Sequence, residues 1–273
     1  SHREVVYIDD VNLFLGEELR RLGLEVSDGI TQYQVHFLNK DAWEMKFPED
    51  SAQGHDGIGG VFINDSDIES EVGEFTDIDR ELKRFTVLLH ESIHFFGHGN
   101  YINIGDVTHT YRHGYGAKNL SGNGYHLGMF NEAIVDTITG KILSDHAKQI
   151  REQFGVSLET MEELKKYLNY FSSIALVSNI VVRVAESEGV DPDVIWDEMM
   201  KNHFTGRMMF LRKIEKAYGK GALRRLAMIK NINQKIEDPL ELERQKKLQK
   251  YFISETTDEE RVVLADQLSR KIN

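Results

Sequence analysis

Cysteine is absent from the 273-residue chain, which excludes disulfides, thiolate nucleophiles and Cys-type zinc sites. The redox compartment stays open, because a disulfide-free chain is stable on either side of a membrane. Positive charge is in deficit: 33 basic against 45 acidic side chains give a formal charge of −12. That balance argues against a general nucleic-acid binder, which normally shows a basic face. No hydrophobic run is long enough to span a membrane. The longest uncharged stretch, Tyr167–Val182, is too short and contains Asn169, Ser172, Ser173, Ser178 and Asn179, so it reads as a buried core helix. Internal repeats, low-complexity tracts and a targeting segment are not found. The chain opens Ser1-His2-Arg3-Glu4 rather than with Met, so a trimmed start or a removed tag is expected, and either a cytoplasmic or a secreted location fits. What is present, 40% hydrophobic residues with a tenth aromatic, suffices for a sizeable core in one domain or two subdomains.

The pattern along the chain divides near residue 78. Before it, Val5–Ile8 reads as a short strand, Val11–Leu22 as a helix ending at Gly23, and Thr31–Leu38 as a strand by its alternation. Residues 39–57 read as loop, and Gly59–Asn64 as a further strand entered through glycines. After it, long helices are predicted over 79–96, 128–146 and 158–188, then over 192–202, 206–218 and 221–230. The tail from Pro239 is charged and helical in propensity. Residues 98–128 are rich in Gly, His, Asn and Tyr with weak periodicity, and a loop of that length is usually functional or mobile.

Inside the helix predicted over 79–96 stands His90-Glu91-Ser92-Ile93-His94. Positions i and i+4 share one helix face, so two imidazoles there can bind one tetrahedral zinc. Glu91 then sits beside the metal, where it can take a proton from a bound water. Phe85-Thr86-Val87-Leu88-Leu89 before the motif and Phe95-Phe96 after it supply an apolar body. A hydrogen-bonded core cluster of the same three residues is the competing reading. A third ligand decides between them.

Downstream, Asn131-Glu132-Ala133-Ile134-Val135-Asp136 lies on another predicted helix. With both motifs the chain resembles the gluzincins, the thermolysin-like clan of zinc metallopeptidases, over about residues 78–146. The resemblance implies one zinc per chain, Glu132 as third ligand, and Asp136, with Asn131 beside it, supporting the ligands through a carboxylate held to an imidazole. The 37 residues from Phe95 to Asn131 are a longer spacing than thermolysin has. The metzincin pattern HExxHxxGxxH competes through Gly97, but its last histidine position is Asn100, and His98 falls two residues early.

The same resemblance implies a tyrosine and a histidine for the oxyanion, and Tyr125 and His203 are the candidates, with Tyr111 and Tyr115 in the same loop as the tyrosine. It also implies substrate pairing with an edge strand, for which Val61, Phe62, Ile63 and Asn64 occupy the position; an ordinary internal strand is the alternative. Arg183 and Arg207 are candidates for a substrate carboxylate or carbonyl, or are simply structural. His98, His109 and His113 are a candidate second metal cluster, and Asp56, Asp67 and Asp106 lack a regular calcium-loop pattern. Gly57, Gly59 and Gly60 form no phosphate-binding fingerprint and mark a turn.

The expected fold is α+β. Residues 1–98 form an N-terminal α/β subdomain with the HExxH helix, 99–127 a Gly/His-rich loop lining the cleft, and 128–273 a mainly helical C-terminal subdomain with the Glu132 helix and charged tail. A zincin-like cleft is expected between the two subdomains. The expected activity is zinc-dependent hydrolysis of peptide bonds in a peptide or protein substrate, with no nucleic acid and no membrane span. The alternatives are a highly specific zinc amidohydrolase or processing peptidase, and a non-catalytic zinc-stabilised interaction module.

Overall fold

The computed structural model describes residues 2–25, 29–48, 52–57, 60–70, 76–104, 107–118, 125–156, 158, 160–230, 236–253 and 256–269. Among the described residues helix dominates, with two small sheets, and the class is compatible with α+β. The chain divides into two compact units: Ser1–Phe96 with Ile138–Asn169, and Gly97–Thr137 with Tyr170–Asn273. Residues 138–169, expected in the C-terminal part, therefore belong with the first unit.

The first unit begins with α1 (His2–Arg21). Its opening turns include Val5–Ile8, which the apolar run alone suggested as a strand. Short apolar runs carry no period of their own, and here Ile8, Val11, Phe14, Leu15 and Leu19 form one buried helical stripe. Strand β1 (Val35–Leu38), helix α2 (Lys40–Lys46), strands β2 (Gly54–Gly57) and β3 (Gly60–Asn64) and helix α3 (Asp65–Ser70) follow. The sheet has the order β1-β3-β2, parallel between β1 and β3 and antiparallel between β3 and β2. Helix α4 (Asp77–Phe96) packs on β2 and β3 and on α1. Edge-on rings close the core between them: Phe85 meets Phe14 at 6.0 Å and Tyr7 at 6.2 Å.

The second unit contains an antiparallel meander, β4 (Gly99–Ile104), β5 (Val107–His113), β6 (Gly116–Lys118) and β7 (Tyr125–His126). The segment expected to be a loop thus carries four strands. Helix α5 (Gly128–Asp145) is counted with this unit to Thr137 and with the first unit from Ile138. Helices α6 (Ala147–Phe154) and α7 (Met161–Lys165) complete the first unit. Then come α8 (Phe171–Glu188), α9 (Pro192–Thr205), α10 (Met209–Tyr218), α11 (Ala222–Leu226), α12 (Pro239–Phe252) and α13 (Asp258–Ser269) in the second. The helix predicted over 158–188 is therefore two, broken at residues 166–170. Among the described residues no helix is long and apolar enough to cross a membrane.

Two polar side chains of α4 explain that break. Lys83 is buried and donates to the Tyr167 carbonyl at 3.0 Å and to Asn169 Oδ1 at 2.6 Å, so the chain turns where these acceptors are needed. Asp79 caps the helix, taking the Thr76 N–H at 2.8 Å and its hydroxyl at 2.7 Å, and also accepts from the Tyr167 hydroxyl at 2.6 Å. Burial works to raise the Asp79 carboxyl. Hydrogen bonds from Lys166, Tyr167 and Thr76 outweigh it and hold the group well below the usual carboxylate range.

A carboxyl depressed in the folded state stabilises fully above its unfolded value of about 3.9 and loses that contribution as pH falls through the folded value. Asp79→Asn is expected to lower stability at pH 7 by about 1–3 kcal/mol, with the difference from the parent shrinking below about pH 4. Urea unfolding across pH 3–7 measures this. A deficit that does not change with pH would show that the charge at Asp79 contributes nothing.

Candidate functional site

From Phe85 to His94 every residue of α4 is buried. An apolar helix can hide its backbone, but Thr86 and Ser92 need acceptors of their own, and each bonds the carbonyl one turn back, at 2.8 Å to Leu82 and 2.6 Å to Leu88. His90, Glu91 and His94 are the remaining polar groups of that run. The Nε2 atoms of His90 and His94 stand 3.2 Å apart, with their rings inclined at 64°. One ring nitrogen can donate to the other at that distance, or both can face one electrophile.

Glu91 lies against β2. A Cβ built on Gly54 would come within 2.6 Å of Glu91 Cγ and 2.8 Å of its Oε1, so only glycine lets the strand pass at this spacing. Reading the sequence missed this residue, because Gly54-His55-Asp56-Gly57 has no apolar alternation and read as loop. The short β2 is also the edge of its sheet, since among the described residues no strand pairs with its other side.

That topology corrects the edge-strand expectation for Val61, Phe62, Ile63 and Asn64. Strand β3 is internal, hydrogen-bonded to β1 on one side and β2 on the other, so its backbone has no free edge for an extended ligand. All five of its residues are buried. Asn64 also shapes the turn out of the strand, where its Oδ1 accepts the Asp67 N–H at 3.3 Å at the start of α3.

In the second unit, α5 carries Asn131, Glu132 and Asp136. Asn131 is buried, and its Oδ1 accepts the Tyr115 N–H at 2.9 Å, which fastens the β5–β6 turn to the helix. Glu132 is half-buried. Asp136, one turn on, is buried and accepts the Tyr170 N–H at the start of α8.

The β5–β6 turn packs tightly. Gly114 has φ +53°, and a Cβ there would lie 2.5 Å from Asn131 Oδ1 and 2.6 Å from His203 Cε1. His203 itself is buried in α9, with its ring near Tyr115 and Phe204. The Tyr115 hydroxyl donates to the Met199 carbonyl at 2.9 Å, and burial pushes the phenol well up, so Tyr115 is a packing residue. His98 Nε2 stands 3.1 Å from Asn100 Oδ1, and the two positions of the competing metzincin pattern therefore bond each other.

Arg183 ties α8 to α13 through Asp258 at 2.6 Å, so its role is structural, and Arg207 is exposed. His113 sits in β5 opposite Gly99. Asp67 stands in α3 and Asp56 in β2. The side chains of Tyr125, Tyr111 and His109, and all of Asp106 and Gly59, lie outside the described residues.

Comparison with known protein families, curated proteins and solved structures found no match for the chain. The chemistry of the site therefore rests on its own geometry.

Gly114→Ala is expected to cost about 1–3 kcal/mol, because the left-handed backbone and the two neighbouring side chains both oppose a Cβ. Urea unfolding reads the loss, and a parental midpoint would show that the turn can relax away from Asn131 and His203.

Proposed function

We propose that the chain is a zinc-dependent peptidase of the gluzincin type, with His90 and His94 as two metal ligands, Glu91 as the general base and Glu132, from the downstream motif of the sequence, as the third ligand. The observation that carries this reading is the spacing of the two imidazoles. At zinc–nitrogen distances of about 2.0–2.1 Å and tetrahedral angles, two ligand nitrogens stand about 3.3 Å apart. The Nε2 atoms of His90 and His94 are separated by 3.2 Å. Glu132 suits the third place chemically, since a carboxylate offsets the ion's charge and leaves a coordination position open. The neighbouring Asp136 is buried and spends part of its accepting capacity on Tyr170, which holds that stretch of helix in one conformation.

A zinc held there would supply Lewis acidity toward a carbonyl and a water. The role proposed for Glu91 is to accept the proton of the attacking water and return it to the leaving amine. Its burial and its packing on Gly54 fix the carboxylate before substrate arrives. The edge of β2 beside it can bind an extended peptide through backbone groups, which suits an endopeptidase tolerant of many sequences. Tyr125 and His203 are the residues proposed for the carbonyl oxygen. A specific processing peptidase or amidohydrolase would use the same machinery.

Glu91→Gln is expected to keep one zinc per chain and to lower turnover of an unfolded protein such as casein by about 10²- to 10⁴-fold. Elemental analysis and a chelator-controlled digest measure the two halves. Parental turnover would remove Glu91 as the base, and loss of zinc would make it a ligand.

Glu132→Ala is expected to weaken zinc binding strongly, because two imidazoles alone leave half the coordination shell to solvent. Unchanged zinc affinity in a competition titration would reject the third ligand.

A further inference from the structure

Strand β2 and helix α4 run past each other within the first unit, and the contact of Gly54 with Glu91 sets their register. Along a strand the next side chain on the same face comes two residues later, about 6.8 Å on. Along a helix His94 comes three residues after Glu91, about 4.5 Å on. The strand residue brought to that level is Asp56. Alternation agrees, because His55 points to the other face, with its ring 5.8 Å from Trp43 and 4.6 Å from Phe47. The ligating atoms agree with this register: a carboxylate oxygen of Asp56 and a ring nitrogen of His94 lie within 4.8 Å of each other. Asp56 is half-buried and His94 buried.

We propose that Asp56 is a positioning residue for His94, a carboxylate that accepts the N–H of the ring nitrogen turned away from His90. The inference rests on the metal reading of the His90–His94 pair. Nε2 of His94 faces Nε2 of His90, and Nδ1 is the nitrogen proposed for the carboxylate. A carboxylate on Nδ1–H fixes the tautomer with an unprotonated Nε2 and makes that nitrogen the better donor to a cation. The sequence motif provides such a carboxylate only on α5. Asp56 adds one from the edge strand, so the strand that borders the site also orients one of its ligands.

The test uses the full chain, its Asp56→Ala and Asp56→Asn variants, and three readouts. Zinc affinity is measured by competition with a chromophoric chelator, the ligand field by the visible spectrum of the cobalt-loaded protein, and the His94 ring by nitrogen-15 NMR of the metal-free protein, assigned with His94→Gln. Asp56→Ala is expected to weaken zinc binding by about 10- to 100-fold. Asp56→Asn, nearly isosteric and still an acceptor, is expected to recover most of that loss. Cobalt bands should stay at their parental positions in both, and the His94 Nδ1 resonance should move in the alanine variant.

Zinc affinity and His94 resonances unchanged in Asp56→Ala would overturn the proposal. Cobalt bands altered in Asp56→Asn would overturn it too, by making Asp56 itself a ligand. A parental chain that does not bind zinc refutes the metal reading. The metal-free spectrum then decides the Asp56 contact alone, which stands if His94 Nδ1 shifts in the alanine variant and falls if it does not.

Discussion

Helix α4 is enclosed along ten consecutive residues, from Phe85 to His94, and a helix enclosed on every side has to satisfy each polar side chain within the protein. Thr86 and Ser92 do so by bonding back to their own helix. His90, Glu91 and His94 are too long for that and reach out from it. Everything around them follows: a glycine where the sheet passes the carboxylate, and two imidazoles brought nose to nose. Burying three such groups in an apolar helix is costly unless each is held by a polar neighbour, so the surroundings of this stretch are constrained more tightly than those of an ordinary core helix.

Much of α4 was legible because its length and 3.6-residue period leave no competing reading, and its HExxH spacing projects onto one face whatever the rest of the fold does. The break at residues 166–170 was not legible. Local propensity runs through it, and the acceptors that Lys83 requires come from 84 and 86 residues away in sequence. Thr160 and Glu163 did advertise the start of α7, where they form a reciprocal cap. The meander of β4–β7 also had a local signal, since two β-rich runs, Tyr101–Ile104 and Val107–Tyr111, are separated by Gly105-Asp106. Abundant Gly and His outweighed it.

Sheet order is a different kind of information. Val61–Asn64 has the apolar character of a strand and was found as one, yet that character reports that both its faces are buried and says nothing of the strands β1 and β2 paired along its two edges. The edge falls instead to β2, whose composition is nearly all polar or glycine. Its residues 54–56 are only half-buried, so a segment lying against the candidate base is one that hydrophobic patterning finds least. The placement of Asp56 beside His94 depends wholly on that order, and no motif reports it.

Among the described residues no strand covers the outer side of β2, and an uncovered edge is a template on which another copy of the same chain can pair; β2 is built to discourage that outcome. It is four residues long, bounded by glycine at both ends, and carries an aspartate turned inward. Short length, weak strand propensity and an inward charge each make a strand a poor template for stacking. The −12 net charge adds long-range repulsion between copies. These features make the outer side of β2, which no strand covers among the described residues, a poor template for edge-to-edge growth of a continuous sheet.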